Sequence, residues 1–154
     1  MKGNVLSVER VVPASPQAIF ALLSDASRHR EIDGSGTLVG VEPGAPEHLS
    51  LGSTFGMSMK MGIGYSMVNS VVEFEQDRRI AWKATPAGAL AGRLGGGRIW
   101  RYELEPTDGG TLVRESWDLS RDKQGMVLKR VLAGRTRQSM EKTLERIEEI
   151  TRGS

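Results

Sequence analysis

The sequence contains no cysteine. Disulfides, thiolate metal sites and cysteine nucleophiles are therefore excluded together. No apolar run approaches the roughly 18 residues that a membrane-spanning helix requires. The first twelve residues, MKGNVLSVERVV, lack the apolar segment of a secretory signal. We therefore expect a cytoplasmic protein that is not stably inserted in a membrane, although peripheral membrane contact stays open.

Histidine is also scarce, with only His29 and His48 in the chain. Neither stands at the spacing from a second histidine or a carboxylate that metal-binding motifs show, so no metal is expected. The sequence has no G-x-S-x-G motif, which excludes a nucleophile elbow. A glycine-rich stretch at residues 86–97 lacks the Gly-Lys-Ser/Thr ending of a phosphate-binding loop. We therefore expect no cofactor.

The sequence also has no large excess of positive or negative charge, because 21 basic and 19 acidic side chains leave a net charge of only +2. The pI near 9.1 is thus a weak argument for nucleic acid, and basic residues interleaved with surface aromatics are absent. No nucleic-acid partner is predicted. Glycine and methionine are plentiful, with 19 and 7 residues. Methionine is typical of adaptable apolar surface.

The patterns along the chain predict one strand, two short helices, six strands and a long helix. The first strand alternates over residues 4–12, and Ser15 and Pro16 are typical of a helix start. The second short helix is expected to end at Gly34. The later strands are predicted at residues 37–42, 53–61, 66–76, 80–84, 98–105 and 111–119. The last thirty residues form the long helix, with a bend or break expected at Gly134.

Short turns join the six later strands, so they should pair antiparallel. The apolar face of this sheet needs a cover, and the C-terminal helix is the one long amphipathic element. The sequence thus predicts an α+β domain over residues 1–154, in the order β-α-α-β6-α. Its curved antiparallel sheet of about seven strands wraps around the C-terminal helix. The oligomeric state is left open.

Three segments carry a resemblance to a known family: VPASPQAIFALLSD, VVEFEQDRRIAW and RYELEPTDGGTLVRESWDLS. The chain resembles the START-like (SRPBCC) superfamily, and most of all small bacterial polyketide cyclase/dehydrase-like proteins. The resemblance implies a helix-grip fold with a cavity between sheet and long helix. It also implies ligands such as lipids, sterols, polyketides and other apolar or aromatic molecules. It carries no shared catalytic motif.

Strand alternation and helix spacing select the residues expected to line that cavity. They are Phe55, Met57, Met59, Ser70, Val72, Trp82, Trp100, Tyr102, Glu115, Trp117, Thr136, Met140 and Leu144. The methionines and aromatics have an alternative as ordinary core. The stretch at residues 86–97 is interpreted as a loop at the cavity mouth, or alternatively as a plain hairpin connection.

Glu115 is the most informative single residue, because the alternation that turns Val113 and Trp117 inward also turns Glu115 inward. Burial of a carboxylate raises its pKa, and such a group can act as a general acid or base. The alternative is a structural pair. An arginine such as Arg135 or Arg137, or a tyrosine, would be its partner.

Three hypotheses for function follow. The first is a protein that binds a small hydrophobic or aromatic ligand in the cavity. The second is a polyketide cyclase/dehydratase-like enzyme that uses the same cavity, with Glu115 or Tyr102 as acid/base. The third is an interaction module that acts through its surface. Acid–base chemistry usually needs two positioned groups, and the pattern shows one inward carboxylate and no inward histidine. The binding hypothesis is therefore favoured.

Overall fold

The computed structural model describes residues 3–88, 97–122 and 125–154, and within the last range it describes no side chains at residues 125, 126 and 128–130. The strands are β1 (Val5–Val12), β2 (Leu38–Val41), β3 (Thr54–Met61), β4 (Ile63–Glu75), β5 (Arg79–Pro86), β6 (Arg98–Thr107) and β7 (Gly110–Asp118). The helices are α1 (Pro16–Leu23), a 3₁₀ turn (Ala26–Arg28), α2 (His29–Ile32) and α3 (Gly125–Thr151).

The seven strands form one antiparallel sheet in the order β1-β7-β6-β5-β4-β3-β2. Helix α3 packs against β1 and β7 at one side of the sheet, and against α1 and α2. The predicted α+β helix-grip architecture, with its order β-α-α-β6-α, is therefore confirmed. Because α3 lies over the β1 side, the inner face of the strands further along is left to line a space.

Helix α1 begins where its capping residues require. The Ser15 hydroxyl accepts a hydrogen bond from the Ala18 backbone N–H at 3.1 Å, and Pro16 occupies the first turn. The helix ends at Ser24, whose hydroxyl and backbone N–H both donate to the Phe20 carbonyl at 2.8 Å. Its apolar face is fully buried and anchors this end of the fold.

Strand β4 turns the opposite side inward from the one predicted. The expected inner residues Ser70 and Val72 are only partly buried, whereas Asn69 and Val71 are 2 % and 3 % exposed. The pairing with β5 shifts by one residue between Val71 and Glu73, which makes Val72 the extra residue of a β-bulge. Apolar residues stand on both sides of the bulge, so simple alternation assigned the wrong face.

Helix α3 is continuous from Gly125 to Thr151, so a break into two helices at Gly134 is wrong, whereas a bend there stays a prediction. A single glycine in an exposed helix position costs only about 1 kcal/mol relative to alanine. The buried residues Met140, Leu144 and Ile147 hold the helix against the core and outweigh that cost. The expected mouth loop at residues 86–97 lies largely outside the described residues.

Gly34 seats the end of α2 directly on the backbone of α3. Its N–H donates to the Thr143 hydroxyl at 3.0 Å. A Cβ at this position would overlap the Ser139 carbonyl oxygen and lie 2.7 Å from the Thr143 backbone nitrogen. The absence of a side chain thus sets the distance between α2 and α3, and both helices line the cavity described below.

We predict that Gly34→Ala lowers the free energy of unfolding by roughly 1–3 kcal/mol, because backbone atoms of α3 must move to admit the methyl group. Gly134→Ala is the matched control, since an added Cβ there meets nothing within 4 Å and the position is helical. The control should be neutral or stabilising by up to about 1 kcal/mol. Urea unfolding followed by circular dichroism measures both, and equal effects of the two substitutions would contradict the close seating of Gly34.

Candidate functional site

A cavity of about 390 Å³ lies between the sheet, α2 and α3. This volume falls in the range of small-molecule sites, which are usually apolar with a few placed polar groups. Its apolar lining is dominated by methionine and tryptophan. These residues are Met57, Met59, Met61, Met67, Met140, Trp82, Trp100 and Trp117.

The methionines form a wall that runs from the buried core to the protein surface. Met57 and Met140 are 8 % and 1 % exposed, whereas Met61, at the tip of the β3–β4 hairpin, is 59 % exposed. Thioether side chains are flexible and polarisable, so they repack around apolar groups of different shape. This wall can therefore adapt to more than one ligand outline.

The tryptophans form a second, stiffer wall across neighbouring strands. Trp82 pairs with Trp100, and Trp100 pairs with Trp117, along one row of the sheet. The Trp100 and Trp117 rings stack with centroids 5.9 Å apart. Tyr102 joins this wall, with its ring centroid 5.7 Å from that of Trp82. The row presents a broad aromatic surface to the cavity.

Glu115 lies at the inner end of the cavity, 3 % exposed, and accepts a 2.9 Å hydrogen bond from the Tyr102 hydroxyl. Burial away from water raises the pKa of Glu115 to about 8, the Tyr102 hydrogen bond lowers it, and the nearby Asp33 charge raises it. The same burial and the Glu115 carboxyl hold the pKa of Tyr102 well above its ordinary value. At neutral pH, Glu115 is therefore mostly a carboxylic acid. Its partner is a tyrosine rather than Arg135 or Arg137.

His29 is a functional candidate that sequence reasoning missed. The first residue of α2, it is 4 % exposed and lines the cavity, with its ring stacked on Trp82 at 4.8 Å between centroids. Its Nε2 donates to the Leu23 carbonyl at 2.7 Å, which leaves Nδ1 as an acceptor. Burial lowers the pKa of His29, so the imidazole is neutral. The sequence offers one indication of this position: His29 stands three residues before the buried Ile32 on the same short helix.

Four buried polar atoms around the cavity have no hydrogen-bond partner among the described residues. They are His29 Nδ1, Asn69 Nδ2, Glu115 Oε2 and Trp117 Nε1. Each unsatisfied buried group costs roughly 1–3 kcal/mol, and such groups are rare in folded proteins. All four residues line the same cavity, so a ligand with polar atoms could satisfy them.

The structure brings nine of the thirteen predicted cavity residues to the cavity wall. They are Met57, Met59, Trp82, Trp100, Tyr102, Glu115, Trp117, Thr136 and Met140. Phe55 and Leu144 lie in the core instead, 2 % and 1 % exposed. Ser70 and Val72 do not line the cavity, because the bulge in β4 inverts their face. Contact of any of these residues with a ligand stays a prediction.

No group of three His, Asp or Glu side chains that could hold a metal ion occurs within residues 3–88, 97–122 and 125–154. In the same ranges, no helix is long and apolar enough to cross a membrane.

The fold and the site define a class: a helix-grip domain whose sheet and long helix enclose an apolar cavity with a few buried polar groups. The chain belongs to the polyketide cyclase / dehydrase and lipid transport family, whose sequence model matches residues 5–150. The resemblance to this family expected from the sequence is thereby confirmed.

One relative and two solved structures are similar to this chain. The chain is 35% identical over 116 residues to the uncharacterized protein Rv0088 of Mycobacterium tuberculosis, a match that covers 73% of this chain and 45% of that relative. The chain thus spans less than half of the curated relative. Protein CV1439 of Chromobacterium violaceum superposes with a TM-score of 0.75 at 13% identity, covering 99% and 100% of the two chains. The AHSA1 protein of Silicibacter pomeroyi gives a TM-score of 0.66 at 15% identity, covering 94% and 95%. These two likenesses show the fold.

We predict that Glu115 makes the protein less stable as pH rises. Its pKa is raised from 4.5 to about 8 in the folded state. The contribution of this proton to the free energy of unfolding is therefore fully present below the pKa that Glu115 has in the unfolded chain. It is lost as pH rises through the pKa that Glu115 has in the folded protein. The free energy of unfolding of the wild type, measured relative to Glu115→Gln, should fall by about 1.4 kcal/mol per pH unit between roughly pH 5 and 8.

Denaturant unfolding at a series of pH values measures the difference in free energy of unfolding between the wild type and Glu115→Gln. Titration of the other groups cancels in that difference. Glu141→Gln is the control, because Glu141 is exposed on the same protein and its substitution should leave the pH dependence unchanged. Parallel stability curves for the wild type and Glu115→Gln would show that Glu115 is not buried as a carboxylic acid.

Proposed function

We propose that the protein binds a small hydrophobic or aromatic molecule, such as a lipid or polyketide, in the cavity between the sheet and α3. The observation that carries this proposal is the cavity itself, about 390 Å³ beside a cluster of buried apolar residues. Its walls are mainly thioether and indole groups, which favour apolar partners over water.

Affinity in such a site comes mainly from the apolar surface that ligand and wall remove from water, at about 25 cal/mol per Å². The methionine wall supplies adaptable contact, and the tryptophan row supplies a fixed aromatic surface. Glu115, Tyr102 and the indole N–H groups lie where they can orient the ligand.

A second candidate function is acid–base catalysis in the same cavity, and the position of His29 favours it. The site holds a neutral imidazole with a free acceptor nitrogen and a mostly protonated carboxyl group. These are the two groups that a dehydration needs. With a β-hydroxy ketone, His29 Nδ1 would remove the proton next to the carbonyl, and the C–H electron pair would form the C=C bond. The hydroxyl would leave with the Glu115 proton as water. Loss of the imidazolium proton to water and uptake of a proton from water by the carboxylate would then restore both groups.

The binding proposal predicts that a neutral apolar fluorophore, N-phenyl-1-naphthylamine, binds the wild type with one-to-one stoichiometry. Thr136→Trp should weaken binding at least tenfold, because Thr136 lines the cavity and an indole at that place would fill it. Glu141→Trp, exposed on the same helix, is the matched control and should bind as the wild type does. Fluorescence titration measures all three. Native mass spectrometry of fresh protein, followed by organic extraction, identifies any ligand that co-purifies. Equal binding by Thr136→Trp would place the probe outside the cavity.

The enzyme candidate predicts dehydration of 4-hydroxy-4-phenylbutan-2-one to its conjugated enone, followed by ultraviolet absorbance. His29→Gln and Glu115→Gln should each reduce the rate at least a hundredfold, a typical contribution of one acid/base group. His48→Gln is the control, since His48 is exposed and does not line the cavity. Wild-type turnover no faster than buffer, or a rate unchanged in His29→Gln, would leave binding without catalysis.

A further inference from the structure

We propose that the cavity selects an uncharged ligand with two separated polar groups: a carbonyl-type acceptor at Glu115 and Trp117, and a hydroxyl near His29 and Asn69. The inference rests on the proposed ligand binding and names the chemical class of the ligand. The four buried polar atoms without a partner among the described residues carry it, since the cavity wall otherwise offers mainly apolar surface.

The first pole presents two hydrogen-bond donors. The Tyr102 hydroxyl donates to Glu115 Oε1, so the proton of the Glu115 carboxylic acid is available at Oε2, the unpartnered oxygen. Trp117 stands two residues further on the same face of β7, and its indole nitrogen is a donor without acceptor capacity. Two donors that stand two residues apart on one face of β7 match an oxygen that accepts two hydrogen bonds, such as a ketone carbonyl.

The second pole lies at the Trp82 end of the aromatic row, where His29 stacks on Trp82, and it has the opposite character at its centre. His29 Nδ1 is an acceptor, because Nε2 is committed to the Leu23 carbonyl. Asn69 adds an amide donor from β4. A ligand hydroxyl can donate to the imidazole and accept from the amide at once. Asn69 lies on β4 and Glu115 on β7, three strand spacings of about 4.8 Å away, so these two residues are roughly 14 Å apart along the sheet.

The charges around Glu115 disfavour an anionic ligand. Asp33 is held by hydrogen bonds from the Ser35 N–H at 3.1 Å, the Ser35 hydroxyl at 2.7 Å and the Leu38 N–H at 3.1 Å. Its negative charge acts on both Glu115 and Tyr102.

Arg146 on α3 donates a hydrogen bond to the backbone carbonyl of Asp33, but among the described residues Asp33 carries the one charge that acts on Glu115. His29, the titratable group that faces the site from α2, is neutral. Arg98 lines the cavity from β6 but is paired with Asp122 at 3.4 Å, and Arg135 lines it from the exposed side of α3. A ligand carboxylate at Glu115 would therefore be buried without a counter-charge, which is strongly unfavourable.

Three matched naphthalenes test the inference by isothermal titration calorimetry at pH 7. They are 6-acetyl-2-naphthol, with both polar groups; 2-acetylnaphthalene, which lacks the hydroxyl; and 6-hydroxy-2-naphthoate, whose carboxylate replaces the acetyl group. We expect the loss of the hydroxyl to weaken binding about tenfold, the effect of one unpaired buried group. The carboxylate should weaken binding at least about a hundredfold, because its buried charge has no partner.

The pH dependence with 2-acetylnaphthalene, which does not titrate, isolates the protein's contribution. Wild-type affinity should be constant below pH 7 and fall up to about tenfold per pH unit above pH 8, where Glu115 loses the proton that the carbonyl accepts. Glu115→Gln keeps a donor that cannot ionise, so its affinity should not vary with pH. Glu141→Gln, exposed on α3, should follow the wild-type curve.

Equal affinity for 6-acetyl-2-naphthol and 6-hydroxy-2-naphthoate would overturn the inference. The same dependence of affinity on pH in the wild type and Glu115→Gln would overturn it too. These failures are distinct from failure of the proposed function. If N-phenyl-1-naphthylamine binds and Thr136→Trp blocks it, the cavity is a binding site whatever the naphthalenes show. If neither that probe nor any naphthalene binds, the proposed function itself fails, and the inference with it.

Discussion

A sheet of seven strands is wider than one helix can cover, and the cavity follows from that difference. Seven strands at about 4.8 Å span roughly 30 Å, whereas a helix with its side chains is about 10–12 Å across. Helix α3 lies over β1 and β7, so the inner faces of the strands from β3 to β6 must be covered in other ways. Helix α2 covers a part, and Gly34 fixes how closely it approaches α3.

The polar groups in this space give it chemical character. A dry apolar cavity would accept any hydrophobic molecule of suitable size. Glu115 and Tyr102 instead form a buried pair of a carboxylic acid and a phenol. His29 is a neutral base whose ring stacks on Trp82, at one end of the aromatic row. Because these groups are buried, the pKa of Glu115 is raised and that of His29 is lowered, and both shifts favour the neutral form. The same arrangement serves selective binding and acid–base chemistry, and the two differ in what the ligand presents to His29.

The accuracy with which the sequence predicts the inward face differs from strand to strand. On β7 the alternation of Val113, Glu115 and Trp117 is uninterrupted, and all three are buried as expected. On β4 a single extra residue at Val72 inverts the face, so Ser70 was assigned to the cavity in place of Asn69. The sequence pattern shows no inward histidine, because a four-residue helix carries too little periodicity to indicate that His29 packs toward the sheet.

Sequence patterns were enough to predict the element order, the antiparallel sheet, the long C-terminal helix and the inward position of Glu115. Those features depend on local periodicity, capping and turn chemistry, which neighbouring residues specify. The folded structure was needed to show that Tyr102 is the partner of Glu115, that His29 stacks on Trp82, and that four polar atoms surround one cavity. These contacts join residues far apart in the chain, and they depend on strand register, on a β-bulge and on the seating of α2 against α3.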